Sequence, residues 1–363
     1  MTIALFLVVL FLAATNGAND NFKGVATLYG SRRAGYWTSL GWASITTLAG
    51  SLCSVFLAHA LLKAFTGAGL VPADIAAQTQ FALAVAGGAG ITVALAAWRG
   101  LPISTTHALV GAMSGAGLVA VGMAVHFASL GKTFLLPLLA SPVIAIIPAF
   151  LLAPLLRRLV ARAATEPECI CKSESIIATP DGVLLRGAVP AVVTGTDAEC
   201  DIHGARRIWR FDARGVVDAL LFLLGGAVSF ARGLNDTPKI AALLLPIALL
   251  DGRGAVLAVG VAMLIGGVLG ARRVARTMSD KITRLDLGAA LAASAITALL
   301  VGTASVNGLP VSTTHVSVGA LAGTGLGRRG GVDRKVMTGI VLSWVITLPA
   351  GAIFGALIYF LVR

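Results

Sequence analysis

Gly17-Ala18-Asn19-Asp20-Asn21-Phe22-Lys23 and, later in the same chain, Gly233-Leu234-Asn235-Asp236-Thr237-Pro238-Lys239 are two copies of one short polar motif. A second motif is also duplicated. Leu101-Pro102-Ile103-Ser104-Thr105-Thr106-His107 corresponds to Leu309-Pro310-Val311-Ser312-Thr313-Thr314-His315, and each continues into a Gly- and Ala-rich apolar run. Two motifs repeated in the same order at similar separation mark two related halves, each a structural unit.

Outside these motifs the sequence is strongly apolar. Of 363 residues, 57% are hydrophobic and 12% charged, against about 25% charged in ordinary soluble domains. Apolar runs of about twenty residues recur, each sufficient for a hydrocarbon core of about 30 Å. The pattern predicts an all-α, polytopic helical membrane protein and lacks the alternation of a β-barrel. The 43 glycines suit helices packed backbone to backbone. A net charge of +12 would suggest nucleic acid in a soluble protein, but here Lys and Arg gather in short loops, as the positive-inside bias requires. The segment 1–15 lacks the basic start of a secretory signal and reads as part of a spanning helix.

Five apolar segments are expected in the first half (2–29, 37–62, 76–98, 101–125, 133–156) and five in the second (216–249, 254–271, 286–306, 309–327, 336–362). The polar stretch 157–214 separates a first repeat, 1–156, from a second, 215–363. An odd number of crossings per half makes the repeats inverted, with helices broken at the motifs. Loop charges agree. Arg32 and Arg33 follow the first segment of half one, whereas Arg272, Arg273 and Arg276 follow the second segment of half two. The basic loops and the central insertion then face the cytoplasm, and both termini lie outside. This scheme takes 101–125 and 309–327 as broken crossings rather than re-entrant hairpins.

The chemistry follows from the polar residues at membrane depth. Asp20 and Asp236 lie inside apolar segments, where a carboxylate must be paired, hydrated or coordinated. With Asn19, Asn235 and carbonyls freed by helix breaks near Gly17 and Gly233, they could bind a small cation as hard oxygen ligands. A capping role is the alternative for either copy alone, and the symmetric duplication favours coordination. In each Pro-x-Ser-Thr-Thr-His run, Pro suits the first helical turn and Ser or Thr the N-cap. Free N–H groups, the helix dipole and three hydroxyls (Ser104, Thr105, Thr106; Ser312, Thr313, Thr314) make an oxyanion site. Lys23 and Lys239 fall on the face of their Asp, open between pairing, anion contact and snorkelling. His107 and His315 could relay protons, with a hydrogen-bonded structural role favoured. Arg232 is open between anion contact and an interfacial position. Cys169, Cys171, Cys200 and His203 give a weak zinc signal, and free thiols are the favoured reading. No cofactor, metal centre or enzyme constellation is expected, and no Walker loop occurs.

The doubled motifs resemble those of the inorganic phosphate transporter (PiT) family, which carries Gly-Ala-Asn-Asp and Pro-x-Ser-Thr-Thr-His in each of two inverted halves. The resemblance covers nearly the whole chain outside the insertion. It implies a secondary transporter importing phosphate by symport with Na⁺ or H⁺. Phosphate contact would fall on Asp20, Asn21, Ser104, Thr105, Thr106, Asp236, Thr237, Ser312, Thr313 and Thr314. Cation coupling would fall on Asn19, Asp20, Asn235 and Asp236, with Lys23, Lys239, Arg232, His107 and His315 as accessory candidates. Many members follow Asn-Asp with Val-Ala-Asn or Val-Ser-Asn. Here Asn21-Phe22-Lys23 and Thr237-Pro238-Lys239 stand instead, so the lysines could take part of a cation's role. Expected partners are phosphate, the coupling cation and the bilayer, with a homodimer open and no nucleic acid. Competing readings are a permease for another oxyanion such as sulfate, an anion channel, which would need a continuous polar lining, and a membrane enzyme on lipid phosphate.

Overall fold

The apolar runs of the sequence become helices. A computed structural model of the chain describes all residues except 68, 164–167, 179–183, 197–205, 212, 248, 250 and 327–330. The main helices are α1 Thr2–Asp20, α2 Ala26–Gly30, α3 Tyr36–Leu57, α4 Thr79–Arg99, α5 Thr105–Val121, α6 Leu136–Ala163, α7 Ala213–Ala241, α8 Gly252–Gly270, α9 Leu287–Val306, α10 Thr313–Gly325 and α11 Arg334–Val362. Among the described residues, nine helical stretches are long and apolar enough to cross a membrane. The chain is a multi-pass membrane protein. One compact unit comprises Met1–Leu156 with Leu221–Arg363, and a second comprises Arg157–Leu220. Within the second, three strands, β1 Glu168–Ala178, β2 Leu184–Thr196 and β3 Arg206–Phe211, form an antiparallel sheet in the order β2-β1-β3. The membrane-embedded part is all-helical as expected. Cys200 and His203 lie outside the described residues.

The duplicated Leu-Pro segments do something the sequence scheme did not anticipate. Helix α4 runs alongside α1 in the same direction. A Cβ on Gly87 would approach Val8, and one on Gly90 would approach Leu12. Just past the end of α4, the carbonyl of Leu101 accepts a hydrogen bond from Asn19. There the chain turns at Gly100, which has φ +71°, a left-handed conformation suited to glycine at a helix C-cap. Helix α5 then returns against α4, with Ala112 beside Gly88. Helices α9 and α10 repeat this arrangement against α7. Gly302 faces Ala231, Ser305 donates to Asn235, and the turn residue Gly308 has φ +68°. The segments 76–98 with 101–125, and 286–306 with 309–327, are thus two helical hairpins rather than four full crossings.

The hairpins lie at opposite ends of the α1–α2 rod. The first flanks Thr2–Asp20, whereas the second flanks α2, where Thr27 and Ser294 share a 2.6 Å hydrogen bond. Helix α10 has 13 residues, about 20 Å at about 1.5 Å per residue, short of a core of about 30 Å. A hairpin in which the second limb alone re-entered would strand Arg157 and Arg158 on the wrong side. With both limbs in the hairpin, the crossing count per half falls by two and stays odd.

The last helix of each half packs on the hairpin of the other half. Helix α11 lies on α5: a Cβ on Gly111 would sit 2.1 Å from the Leu348 carbonyl oxygen, and one on Gly115 would sit 1.9 Å from that of Ala352. Helix α6 lies on α10, where a Cβ on Gly323 would sit 2.4 Å from the Ile146 carbonyl oxygen. Such backbone contact is how helices gain dispersion energy in lipid, where no hydrophobic drive separates them from the solvent. Helix α1 meets α8 in the same way at Gly17 and Gly266. Gly115→Leu should therefore overpack the α5–α11 contact by about 1–3 kcal/mol or more and lower the melting temperature of the detergent-purified protein. Gly131→Ala, which meets nothing within 4 Å, should leave it unchanged.

Candidate functional site

The tips of the two hairpins meet, and the Asn-Asp motifs flank the meeting point. Thr314 donates to the Ile103 carbonyl at 2.7 Å, and Thr106 donates to that of Val311 at 3.4 Å. The rings of His107 and His315 lie 4.6 Å apart. Ser104 and Ser312 are the N-caps of α5 and α10, each accepting from the backbone N–H of the His three residues on at 3.2 Å. Capping by Ser leaves the rest of the first-turn N–H groups without intrahelical partners, at the positive end of each helix dipole.

Five charged side chains are buried around this contact: Asp20, Lys23, Arg232, Asp236 and Lys239, none more than 4% exposed. Three basic side chains face two carboxyl groups, a formal net charge of one positive with every group ionised. The Lys23 ammonium pairs with the Asp20 carboxylate and donates to Asn19 Oδ1 at 2.8 Å, the Ile103 carbonyl at 2.8 Å and Thr314 Oγ1 at 2.6 Å. The Lys239 ammonium lies 3.6 Å from Asp236 and donates to the Val311 carbonyl at 2.8 Å and Thr106 Oγ1 at 2.9 Å. The two lysines share a carboxylate, a tip carbonyl and a threonine hydroxyl with the halves exchanged; Lys23 has the Asn19 amide oxygen in addition, and Lys239 instead lies 5.6 Å over the Phe65 ring. Snorkelling is excluded for both by their burial. Arg232 is fully buried, which rules out an interfacial position. It reaches Asn16 Oδ1 at 2.8 Å, Asn21 Oδ1 at 3.1 Å and Asp236 Oδ2 at 3.7 Å.

The helix break expected at each motif is present in only one half. After Asp20 the chain forms a 3-10 turn, Asn21–Val25, before α2. Helix α7 instead continues through Asp236 and Pro238 to Ala241. The carbonyls expected from broken motif helices come instead from the hairpin tips: Asn19 donates to the carbonyl of Leu101 at 2.9 Å and Asn235 to that of Val311 at 3.3 Å. Asn235 also reaches Thr313 Oγ1 at 3.3 Å. Thr237 turns away from the tips and donates to Ser51 of α3 at 2.7 Å, and Asn21 likewise donates to Ser44 at 3.0 Å. His315 Nδ1 is 2.9 Å from the Leu138 carbonyl, and its ring tilts onto Trp344 at 3.9 Å.

Asn16 is the site residue the sequence reading missed. Its amide donates to Thr105 Oγ1 at 2.9 Å, Asp20 Oδ2 at 3.3 Å and Asp236 Oδ2 at 3.5 Å, and its carbonyl accepts from Arg232. Extending the repeat by one residue would have found it, because Asn16 precedes Gly17 as Arg232 precedes Gly233. The equivalent positions of the two halves thus bond to each other.

Two cavities approach this layer from opposite ends of α3. One, of about 550 Å³, is lined by Thr15, Ala18, Trp98, Arg272, Arg273 and Arg276 among others. The other, of about 400 Å³, includes Ser54, His59, Pro238, Asp251 and Arg253. Their linings stop at Ala18 and Pro238, the neighbours of Asn19 and Thr237, while Asp20 and Asp236 stay 2% and 4% exposed. Asn16→Ala would leave Arg232 without its shortest hydrogen bond at a buried position, at a cost of about 1–3 kcal/mol. A lowered melting temperature in detergent should report it.

The sequence model of the phosphate transporter family matches residues 16–355, which contain all four motif copies. The low-affinity inorganic phosphate transporter PitA of Escherichia coli K12 is 41% identical over 108 residues, 29% of this chain and 22% of PitA. PitB of the same strain is 42% identical over 108 residues, again 29% of this chain and 22% of the relative. The matched stretch thus spans less than a quarter of these relatives' length. A solved structure titled "The sodium-dependent phosphate transporter" shares the fold with a TM-score of 0.75 at 23% identity, covering 99% of this chain and 98% of that one.

Proposed function

The chain belongs to the phosphate transporter family, and from that premise we propose that it is a secondary transporter importing inorganic phosphate by symport with Na⁺ or H⁺. The observation that carries this reading is the convergence of two Ser-Thr-Thr helix starts on a buried cluster with one net positive charge. Hydroxyls and first-turn N–H groups from both sides suit the oxygens of a tetrahedral oxyanion, and the buried cations offset its charge. PitA and PitB are named as phosphate transporters, which supports phosphate over sulfate. The structural neighbour's title names sodium, which supports a coupled cation.

In this reading Thr105, Thr106, Thr313 and Thr314 contact phosphate, together with Ser104 and Ser312. Asp20, Asp236, Asn19 and Asn235 answer to the coupling charge, and Arg232 neutralises the anion. Asn21 and Thr237 hold the motif helices to α3 rather than touch phosphate directly. The site is closed, with a cavity at each end, so access alternates as one hairpin parts from the other tip. Discrete end cavities favour such a carrier over a channel, which needs a continuous polar lining. The insertion and the basic loops face the cytoplasm and both termini lie outside, in keeping with the loop charges.

Proteoliposomes containing the purified protein should take up radiolabelled phosphate under an imposed Na⁺ or pH gradient, with arsenate competing more strongly than sulfate. Asp20→Asn or Asp236→Asn strips a buried lysine of its carboxylate, an imbalance of about 3–5 kcal/mol. Uptake should fall to background in both at normal expression, and undiminished uptake in both would overturn the assignment.

A further inference from the structure

Lys23 and Lys239 occupy positions that have the chemistry of cation sites. Around Lys23 Nζ stand a carboxylate, a side-chain amide oxygen, a backbone carbonyl and a threonine hydroxyl: Asp20, Asn19, Ile103 and Thr314. Around Lys239 Nζ stand the equivalent carboxylate, carbonyl and hydroxyl of the exchanged halves: Asp236, Val311 and Thr106. All of these are oxygens from motif residues, four around Lys23 and three around Lys239, whose remaining side faces the Phe65 ring at 5.6 Å. Hard oxygens of these kinds, brought together from separate elements, are what a small cation selects. An ammonium is a compact point charge on a flexible stem with three donors and no acceptor, so it can fill such a cage in place of an ion.

We propose that the ammonium groups of Lys23 and Lys239 are tethered cations that fill two related oxygen cages, so that no alkali cation binds there and phosphate transport does not require Na⁺. The inference rests on the phosphate-transport reading and chooses between its two coupling ions. Three further observations bear on it. Both lysines are buried, at 3% and 1% exposed, so neither swings out to let an ion in. The cluster already holds three cations against two carboxylates, and an added ion would raise its net charge further at membrane depth, where uncompensated charge is costly. Each cage also takes its hydroxyl from the opposite hairpin, so each tethered charge links the two tips. A charge fixed to the chain cannot leave with the substrate. It lowers the cost of binding the anion in every cycle without being carried across.

The test has two readouts on the full-length protein. In the first, melting temperature in detergent is measured in NaCl and in choline chloride at equal ionic strength. The wild type should show no Na⁺-specific shift. Lys23→Ala and Lys239→Ala, which empty a cage and keep its carboxylate, should each be stabilised by several degrees on adding Na⁺. In the second, phosphate uptake by wild-type proteoliposomes should be unchanged when choline replaces Na⁺ on both sides. A Na⁺-specific rise in the wild-type melting temperature, loss of wild-type uptake in choline, or folded alanine variants indifferent to Na⁺ would each overturn the proposal. If neither alanine variant folds, the two wild-type measurements decide it. Absence of phosphate uptake under any gradient would refute the transport reading alone, because the melting experiment needs no transport.

Discussion

Five charges buried at membrane depth have to be kept there, and the rest of the structure is arranged so that they can be. An isolated carboxylate or ammonium in this position would be prohibitively unfavourable. Asp20 and Asp236 are tolerable because Lys23, Lys239 and Arg232 stand beside them. The lysines in turn are tolerable because carbonyl and hydroxyl oxygens complete their shells. The carbonyls among them must come from backbone that is not itself engaged in a helix. The two hairpin tips supply it, each placed by a glycine turn and a Leu-Pro start. The charges and the tips therefore presuppose one another. Without the tips the lysines lose their carbonyl and hydroxyl acceptors, and without the lysines the carbonyls of Ile103 and Val311 would lose their ammonium partners.

Exchange between the halves is the form this dependence takes. Lys23 is satisfied partly by Thr314, and Lys239 by Thr106. Asn16 and Arg232, equivalent positions in the repeat, bond to each other. Each half completes part of the other's polar bonding, which ties the two halves to one site. The asymmetry between Asn16 and Arg232 has its own use. A second arginine would place two guanidinium groups against each other, whereas an amide offers an acceptor to the arginine and donors to both carboxylates.

Much of this was legible in the sequence. The twenty-residue apolar runs and the doubled motifs define the helices, the two halves and the residues that meet. Burial of Asp20, Asp236 and the Ser-Thr-Thr runs follows from their apolar surroundings. What could not be read is where the chain doubles back. A 21-residue limb such as Thr79–Arg99 has the length of a crossing whether it crosses or stops at a tip, because both outcomes need the same helix in the same apolar setting. The distinction lies in what its far end touches, and Leu101 meeting Asn19 is a tertiary fact. For the same reason the break after Asp20 and the unbroken helix through Pro238 could not be told apart. The burial of Arg232 was not legible because, apart from Asp236 one turn on, its partners Asn16, Asn21 and Thr47 are far away in the chain.

The crossed packing of the last helices bears on how such a protein is made. Helix α5 turns its glycine face toward α11, which is synthesised long after it. Until that helix arrives, the first hairpin has no backbone partner along Gly111 and Gly115, and its tip has no opposite tip to satisfy. The first half must therefore wait in the membrane in an unfinished state through synthesis of the insertion and most of the second half. Loss of α11 would therefore be felt first at a hairpin made long before it.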